Sequence, residues 1–353
     1  MDFRTRTFVT TTAVALSLLR GQAIGQSLNV KPDAVATKRW TAPRTADRHA
    51  DLQGVWANNT ATPLERPKEL AGRQFLTEQE VAALKKKSAE LFDKGNSDAA
   101  FGDSVFESAL ANVKGTKSGY KSTDGGTGDY SSVWLAARDW DNRTSLITDP
   151  PDGRVPPMTL PAEQRERTVM AAFRGRPAGP EDRLLSERCI TYGWPQLEAG
   201  YQSYFQIVQS STSIVILTEM IHDARIIPMD GSPHPPRNIQ SWMGDPRGHW
   251  EGDTLVIDST NFRPGTFRNI STEKLHVIER FKRSGPDILQ WELTIDDPGA
   301  WTKPWSLMIP LRSSKKAIYE YACHEGNYGL PDILAGARRE DKNEAAKKAN
   351  QIK

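Results

Sequence analysis

Histidines with a carboxylate close by in sequence recur in the second half of the chain, and this combination suits proton transfer. An imidazole titrates near neutral pH, and a neighbouring carboxylate fixes which ring nitrogen carries the proton. We therefore expect acid/base chemistry at these positions. The candidate catalytic residues are His222, His276, His324, Glu219, Asp223 and Glu325.

Four further residues are candidates for substrate binding. An arginine can hold an anionic group through two parallel hydrogen bonds, and imidazole or aromatic rings can line a pocket. These candidates are Arg225, Arg280, His234 and Trp250.

Structural roles remain open for several of the same residues. His276 alternates with apolar neighbours and could be an outward residue of a strand. Glu279 and Arg280 could be surface charges. Arg225 could pair with Asp223 or Glu219 and so hold a turn.

Motifs for metals, phosphates and nucleophiles are missing from the sequence. There is no H-x-H, H-E-x-x-H or EF-hand pattern, no G-K-[ST] phosphate loop and no G-x-S-x-G nucleophile motif. A divalent metal held by His222, His234 or His276 together with His324 is the alternative, since strands can bring distant ligands together. We expect an enzyme without a cofactor.

Short alternating segments separated by turn residues predict β-strands from residue 202 onward. In Leu289–Asp296 every odd position is apolar and every even position is polar, as a strand with one buried face requires. With no helical pattern between them, these strands predict a mainly β protein, an antiparallel meander that forms a barrel or a strongly curved sheet. Alternate side chains would then point into a lumen, and the candidate residues would line its mouth. The predicted strands are residues 202–208, 213–220, 224–229, 254–258, 274–283, 289–296, 305–311 and 316–322.

Residues 51–340 are expected to form a single β-rich domain with helical insertions between residues 60 and 200. An extended lead-in over 26–50 precedes it, and a frayed charged tail over 341–353 follows it. Thr77 and Glu80 form a capping-box pattern that marks the start of one helix. The predicted helices are residues 77–94, 161–173, 182–188 and the charged C-terminal segment from 329, and residues 95–132 are predicted to be a long loop.

Residues 1–25 have the features of a cleavable export signal. Arg4 and Arg6 precede an apolar stretch, and Ala23–Gly25 offers the small residues that a signal peptidase reads. The apolar stretch is too short to span a bilayer, which argues against the alternative of a membrane anchor. Loss of this segment cancels the formal net charge of +2, and the basic residues give no nucleic-acid footprint. We expect a periplasmic or secreted protein with no membrane span.

Cys189 and Cys323 are the two cysteines of the chain. In an oxidising compartment they could form one disulfide that closes a long loop, worth roughly 4–5 kcal/mol on the chain-entropy model. Two separate buried thiols are the alternative.

Two resemblances bear on the fold. Gly54-Val55-Trp56 resembles the G-x-W signature of lipocalins and related calycin barrels, which implies a barrel closed at one end by the Trp. Four longer runs resemble a family of exported bacterial β-rich proteins that has no settled activity. This second resemblance implies export and a shared fold, and it carries no activity over. The runs are residues 143–154, 219–228, 248–256 and 320–327.

The main functional hypothesis is an exported, cofactor-independent acid/base enzyme, a lyase, isomerase, hydratase or hydrolase. Its substrate would be a small, partly apolar molecule held in a barrel cavity. The alternative is a periplasmic binding or carrier protein in which the same groups only orient a ligand. A structural module with a filled barrel is a third hypothesis, and the oligomeric state stays open.

Overall fold

Strands dominate the architecture, in agreement with the alternating patterns. The computed structural model describes residues 40–92, 103–116 and 138–351, and contacts from Trp40 onward group into one unit. The predicted export signal and most of the predicted loop over 95–132 lie outside the described residues. The described part of that loop contains a helix, Ser104–Val113, so the loop prediction is wrong there. The strands are β1 Gly54–Ala57, β2 Ile147–Asp149, β3 Tyr204–Gln209, β4 Ser213–Thr218, β5 Ala224–Pro228, β6 Asp245–Glu251, β7 Thr254–Thr260, β8 His276–Gly285, β9 Ile288–Asp296 and β10 Trp305–Ser314. The helices are α1 Glu78–Phe92, α2 Ser104–Val113, α3 Leu160–Arg174 and α4 Gly329–Gln351.

The alternation in β9 becomes an alternation of burial. Leu289, Trp291, Leu293 and Ile295 are at most 1% exposed, and the residues between them are half-buried or exposed. Burial of each such side chain contributes roughly 1.5–3 kcal/mol. β8 and β10 follow the same period. We call the face that carries these buried residues the inner face and the opposite one the outer face.

The described strands form one antiparallel sheet of ten strands in the order β5-β4-β3-β1-β10-β9-β8-β7-β6, with β2 beside β10. β3 to β5 form one meander and β6 to β10 form another. β1 joins them because it pairs with β3 on one side and with β10 on the other. The predicted meander is therefore two meanders linked by the first strand.

One strand prediction is wrong, and β6 is absent from the predicted strands. Residues 316–322 form no strand, and this segment is irregular beyond the end of β10. β6 escapes prediction because Pro246 and Gly248 interrupt its alternation. It becomes a strand through its pairing with β7 across the turn at Gly252, whose φ is 61°.

The sheet is not closed into a barrel, so the barrel alternative of the prediction is wrong. β5 and β6 end the strand order and no ladder joins them, yet they contact each other, which requires the sheet to curve strongly. Side-chain contacts, and not backbone hydrogen bonds, join β5 and β6. A Cβ on Gly248 would lie 2.4 Å from Met229 Sδ and 2.9 Å from Ile227 Cγ2. Pro228 and Pro246 each remove a backbone donor, as is common in edge strands.

Aromatic rings fill the space that the curved sheet encloses. Trp194 packs against Phe205 and Trp291 with ring-centroid distances of 6.3 and 5.4 Å. Phe281 stacks on Trp291 at 5.6 Å. All four rings are at most 3% exposed. The interior is therefore packed at the place where a carrier barrel would keep an open lumen.

The Trp of the G-x-W sequence is buried at the entry to the sheet. Trp56 Nε1 donates to the Leu52 carbonyl at 2.8 Å, and the Arg283 guanidinium lies over its ring at 5.3 Å. Arg283 also donates to the Asp51 carbonyl at 3.0 Å. These contacts tie the chain before β1 to the end of β8.

Two of the predicted helices are confirmed by their caps. Glu80 N donates to Thr77 Oγ1 and Thr77 N donates to Glu80 Oε2, the reciprocal pair of a capping box. α3 starts after Thr159, whose Oγ1 accepts from Ala162 N. The predicted helix over 182–188 is wrong, since this segment consists of turns.

The last helix and the cysteine bridge complete the unit. α4 continues to Gln351 through the segment that was expected to fray. Cys189 and Cys323 form a disulfide with their Cα atoms 5.7 Å apart, which confirms the predicted bridge and overturns the alternative of free thiols. None of the helices in the described ranges is long and apolar enough to cross a membrane.

Candidate proton-transfer site

Four side chains form a hydrogen-bonded row on the outer face, which we call the Asp–His relay: Asp245, His234, Asp258 and His276. His276 Nε2 lies 2.9 Å from Asp258 Oδ1, and His234 Nε2 lies 3.3 Å from the same oxygen. The second nitrogen of His234, Nδ1, lies 2.6 Å from Asp245 Oδ2. Imidazoles and carboxylates thus alternate, and each proton would move only between adjacent groups.

Three neighbouring strands supply the two carboxylates and His276. Asp258 of β7 lies opposite Arg247 of β6 and opposite Ile278 of β8. His276 is two residues from Ile278, so it is the diagonal neighbour of Asp258 on the same face and within reach of it. As the sequence alternation indicates, His276 and its apolar neighbours lie on opposite faces of the strand. The apolar neighbours face the core. His276 therefore points outward.

His234 reaches the relay from the loop between β5 and β6. Asn261, just after β7, holds this loop because its Nδ2 donates to the carbonyls of Pro235, Pro236 and Ile239 at 3.1, 3.2 and 3.0 Å. Asn261 has a φ of 57°, in the left-handed region that Asn tolerates better than most residues. One side chain thus sets the loop that carries His234 between the two carboxylates.

Arg247 clamps the far end of the relay. Its Nε donates to Asp245 Oδ2 at 2.8 Å, and its Nη2 donates to Asp245 Oδ1 at 2.9 Å. Nη1 donates to Ser232 Oγ. This bidentate pair fixes both oxygens of Asp245 and so fixes the carboxylate that faces His234.

The relay shifts the titration of its members. The hydrogen bond from His276 holds the pKa of Asp258 below its usual 3.8, and the charge of His234 acts in the same direction. The hydrogen bond to Asp258 raises the pKa of His276 above its usual 6.5, with a smaller contribution from Asp296. Neutral His276 can then donate Nε2–H to Asp258 and keep a lone pair on Nδ1. No described residue hydrogen-bonds to that Nδ1.

Arg237 brings a free positive charge to the same end of the relay. Its side chain is exposed and makes no hydrogen bond or ion pair with a residue in the described part of the chain. It is close enough to His276 to oppose the rise in that residue's pKa. Arg237 thus offers open donors on the loop that also carries His234.

Glu219 and Asp223 lie at the connection between β4 and β5, with hydrogen-bond partners of their own. Glu219 is 2% exposed, and its Oε1 accepts from Tyr319 N at 3.2 Å. Asp223 Oδ2 accepts from Thr191 Oγ1 at 2.7 Å and from Tyr192 N at 3.1 Å. Burial raises the pKa of both carboxyl groups. Neither is hydrogen-bonded to the relay.

His222 belongs to the same connection. Its Nδ1 lies 2.8 Å from the Tyr321 carbonyl, and its φ is 44°. The preceding Ile221 has a φ of 55°, which is costly for a β-branched residue. These contacts hold His222 against the segment after β10, apart from the hydrogen bonds of the relay.

Arg225 and Glu279 form an ion pair in the core, where both side chains are 0% exposed. Arg225 Nη2 donates to Glu279 Oε2 at 2.7 Å and to Ser259 Oγ at 2.9 Å. Trp194 Nε1 and Trp291 Nε1 donate to the two Glu279 oxygens at 3.0 and 3.1 Å. The interpretations of Glu279 as a surface charge and of Arg225 as the partner of a turn carboxylate are both wrong. The pair lies on the inner face, and the relay lies on the outer face.

Arg280 and Trp250 are not grouped with the relay either. Arg280 pairs with Glu251 at the exposed end of the sheet. It lies four positions from His276 along β8, about 14 Å at a rise of about 3.4 Å per residue. Trp250 stacks on His49 with ring centroids 4.8 Å apart. The expectation that all candidate residues line one cavity mouth is wrong.

His324 and Glu325 are exposed in the irregular segment that follows β10. Within the described residues, no group of three or more His, Cys, Asp or Glu side chains has an arrangement that could hold a metal ion. His234 and His276 meet through Asp258. His222 has its own partner in Tyr321, and neither it nor His324 hydrogen-bonds to the relay.

Sequence patterns do not single out Asp245, Asp258 or Arg237. The alternation of β7 puts Asp258 at a polar position between buried neighbours, which signals an outward carboxylate. Only the register of β7 against β8 shows that this carboxylate meets His276.

Comparison of the chain with protein-family models, with curated proteins and with solved structures gave no match.

Proposed function

We propose that the protein is an acid/base enzyme in which His276 takes a proton from the substrate or from a water molecule. The carrying observation is the 2.9 Å contact between His276 Nε2 and Asp258 Oδ1. It orients the imidazole and leaves Nδ1 to face an incoming group. Lyases, isomerases, hydratases and hydrolases share this proton-removal step.

The rest of the relay supports the step by stabilising the imidazolium that forms. When His276 takes a proton, its positive charge lies next to Asp258, whose lowered pKa keeps the carboxylate ionised. His234 and Asp245 extend the row, and Asn261 holds the loop so that His234 need not reorient during the reaction. Preorganised charges of this kind lower the barrier to proton transfer.

Arg237 suggests the substrate class. An exposed guanidinium on the loop that carries His234 can bind a carboxylate or phosphate through two parallel hydrogen bonds. We propose a small molecule with one anionic group, oriented by Arg237 so that its acidic proton or a bound water faces His276 Nδ1. The substrate would thus bind on the outer face under the loop that carries His234.

The carrier alternative finds less support. A carrier needs an open lumen, and the aromatic rings of the inner face occupy that space. Export remains part of the proposal. A disulfide is typical of proteins in oxidising compartments, and the mass of the mature protein would reveal removal of residues 1–25.

Turnover on a panel of small carboxylate and phosphate esters, lactones and β-hydroxy acids tests the proposal. His276→Gln should reduce the rate on any accepted substrate about 100-fold or more. His249→Gln is the matched control, because His249 also lies on an outer strand position, 3.3 Å from Glu251, and should retain the rate. The rate should rise with pH through an inflection above 6.5, and Asp258→Asn should lower that inflection.

A readout independent of substrate is the titration of the His276 imidazole by NMR. Its pKa should lie above 6.5 in the native protein and fall in Asp258→Asn. Equal rates for His276→Gln and the native enzyme, or an imidazole pKa that ignores Asp258, would overturn the proposal.

A further inference from the structure

A surface cavity of about 480 Å³ lies where several segments outside the long strands meet. Its walls come from the segment just after β1, from Asp103 before α2, from α3, from residues 197–199 before β3 and from residues 267–269 between β7 and β8. The described residues that line it include no member of the Asp–His relay. This cavity is therefore separate from the site proposed for proton transfer.

Arg268 brings a positive charge to this cavity. It is exposed, and it makes no hydrogen bond or ion pair with a residue in the described ranges. Two hydrogen bonds to Ser271 brace its loop, since Phe267 N donates to Ser271 Oγ at 3.0 Å and Gly265 N donates to the Ser271 carbonyl at 2.8 Å. A guanidinium with free donors on a braced loop can hold a carboxylate through two parallel hydrogen bonds.

Two carboxylates line the same cavity, those of Asp103 and Glu198. Asp103 is half-buried and its Oδ1 accepts from Leu64 N at 3.0 Å, whereas Glu198 is exposed. Burial is the largest cause that raises the pKa of both, and the charge of Arg268 opposes the rise in both. Contact with solvent together with partial loss of hydration is what the wall of a concave cavity imposes on a carboxylate.

The rest of the described wall is largely apolar. Leu146 and Phe267 are 3% and 4% exposed, and Met170 and Leu197 are half-buried. A ligand that covers this wall gains from apolar carbons of its own. Glu166 of α3 adds a third, exposed carboxylate to the lining, so the cavity should repel a ligand whose only charge is negative.

We propose that this cavity binds a small zwitterion, a molecule with an ammonium and a carboxylate on an apolar carbon framework. The carboxylate of the ligand pairs with Arg268. Its ammonium, which has three donors and no acceptor, bonds to the carboxylates of Asp103 and Glu198. Apolar amino acids and short peptides carry this set of groups, and the volume is in the range of small-molecule sites. The proposal does not depend on the acid/base reaction of the relay.

Isothermal titration calorimetry of the full chain at low salt provides the test, with L-phenylalanine and the dipeptide phenylalanyl-glycine as zwitterionic probes. L-phenylalanine amide lacks the carboxylate, and 3-phenylpropanoate lacks the ammonium and should bind more weakly than phenylalanine. Arg268→Gln should weaken the binding of phenylalanine about tenfold or more and leave the binding of the amide unchanged. Glu198→Gln and Asp103→Asn should weaken the binding of both.

Two variants serve as matched controls. Arg263→Gln changes another exposed arginine of the same loop, which stacks on Trp242 at 4.6 Å and is absent from the described lining. Glu292→Gln removes an exposed carboxylate from the outer face of β9. Both should retain the binding of phenylalanine, and so should His276→Gln, which separates this proposal from the function proposed for the relay. Thermal melting of each variant checks that it folds.

Binding of phenylalanine supports a free amino acid as the ligand, and binding of the dipeptide alone supports a short peptide. Failure of both zwitterions to bind the native protein would overturn the proposal. Equal losses for phenylalanine and its amide in Arg268→Gln would also overturn it, because the guanidinium would then not hold the carboxylate. A loss in Arg263→Gln as large as that in Arg268→Gln would show a diffuse effect of charge and would count equally against it.

Discussion

Replacing Glu279 by Gln should destabilise the protein by about 3–5 kcal/mol, because it leaves the Arg225 guanidinium as an uncompensated charge in the core. Both side chains are 0% exposed. Arg225 has few other partners, since its Nε and Nη1 find no acceptor among the described residues and its charge otherwise contacts the Trp194 ring at 4.0 Å. Trp291 and Trp194 compete for the oxygen that glutamine retains.

Urea unfolding with the disulfide intact measures this loss as a difference in the extrapolated free energy of unfolding. Glu251→Gln is the matched control. It breaks the exposed ion pair with Arg280 and should leave the free energy of unfolding almost unchanged. The double variant Arg225→Met/Glu279→Gln should be more stable than Glu279→Gln alone, because no charge is then stranded. If Glu279→Gln costs no more than Glu251→Gln, the buried pair does not have the energetic role that its burial implies.

Three other predictions concern the relay, a buried glycine and the loop that carries His234. Because the folded pKa of His276 is raised, this residue contributes stability that is present below pH 6.5 and is lost as the pH rises through the folded value. In urea unfolding, His276→Gln should therefore destabilise the protein more at pH 5.5 than at pH 9. The reverse order would contradict the assigned hydrogen bond. Gly193→Ala should lower the stability by more than about 3 kcal/mol in thermal melts, since its Cβ would lie 2.0 Å from a carbonyl oxygen. Gly231→Ala has a similar φ but open space around the Cβ, and it should lower the stability by about 1–2 kcal/mol. Asn261→Gly keeps the left-handed backbone but removes the bonds to the loop, so amide exchange over residues 234–240 should accelerate; unchanged exchange would mean that other contacts hold the loop.

The strands were largely predictable because a period of two survives in most of them. β9 shows this period without interruption, and its burial follows it. β6 shows the limit of the method, since Pro246 and Gly248 fit an edge strand only when its neighbours are known. Residues 316–322 show the opposite error, because an alternating segment without a strand beside it has no ladder to join.

The site was predictable in its residue types and not in its grouping. His276 and His234 were candidates, but their common partner Asp258 comes from another strand, and Asp245 from yet another. Local sequence spacing cannot show a contact that depends on strand register. The same holds for Arg225 and Glu279, which lie 54 residues apart. From sequence alone, a charged residue in an alternating strand is predicted to lie on the surface, because its buried partner is not known.

The seam between β5 and β6 also determines how the protein behaves toward other copies of itself. A strand with a free row of backbone donors and acceptors is a template on which another chain can add a strand. Here each of the two free rows lies against the other, held by Ile227 and Met229 over the bare backbone of Gly248. The two edge strands of the sheet thus cover each other without backbone hydrogen bonds between them. A bulky side chain at position 248 would push β5 and β6 apart and expose two strand edges on which other chains could add strands.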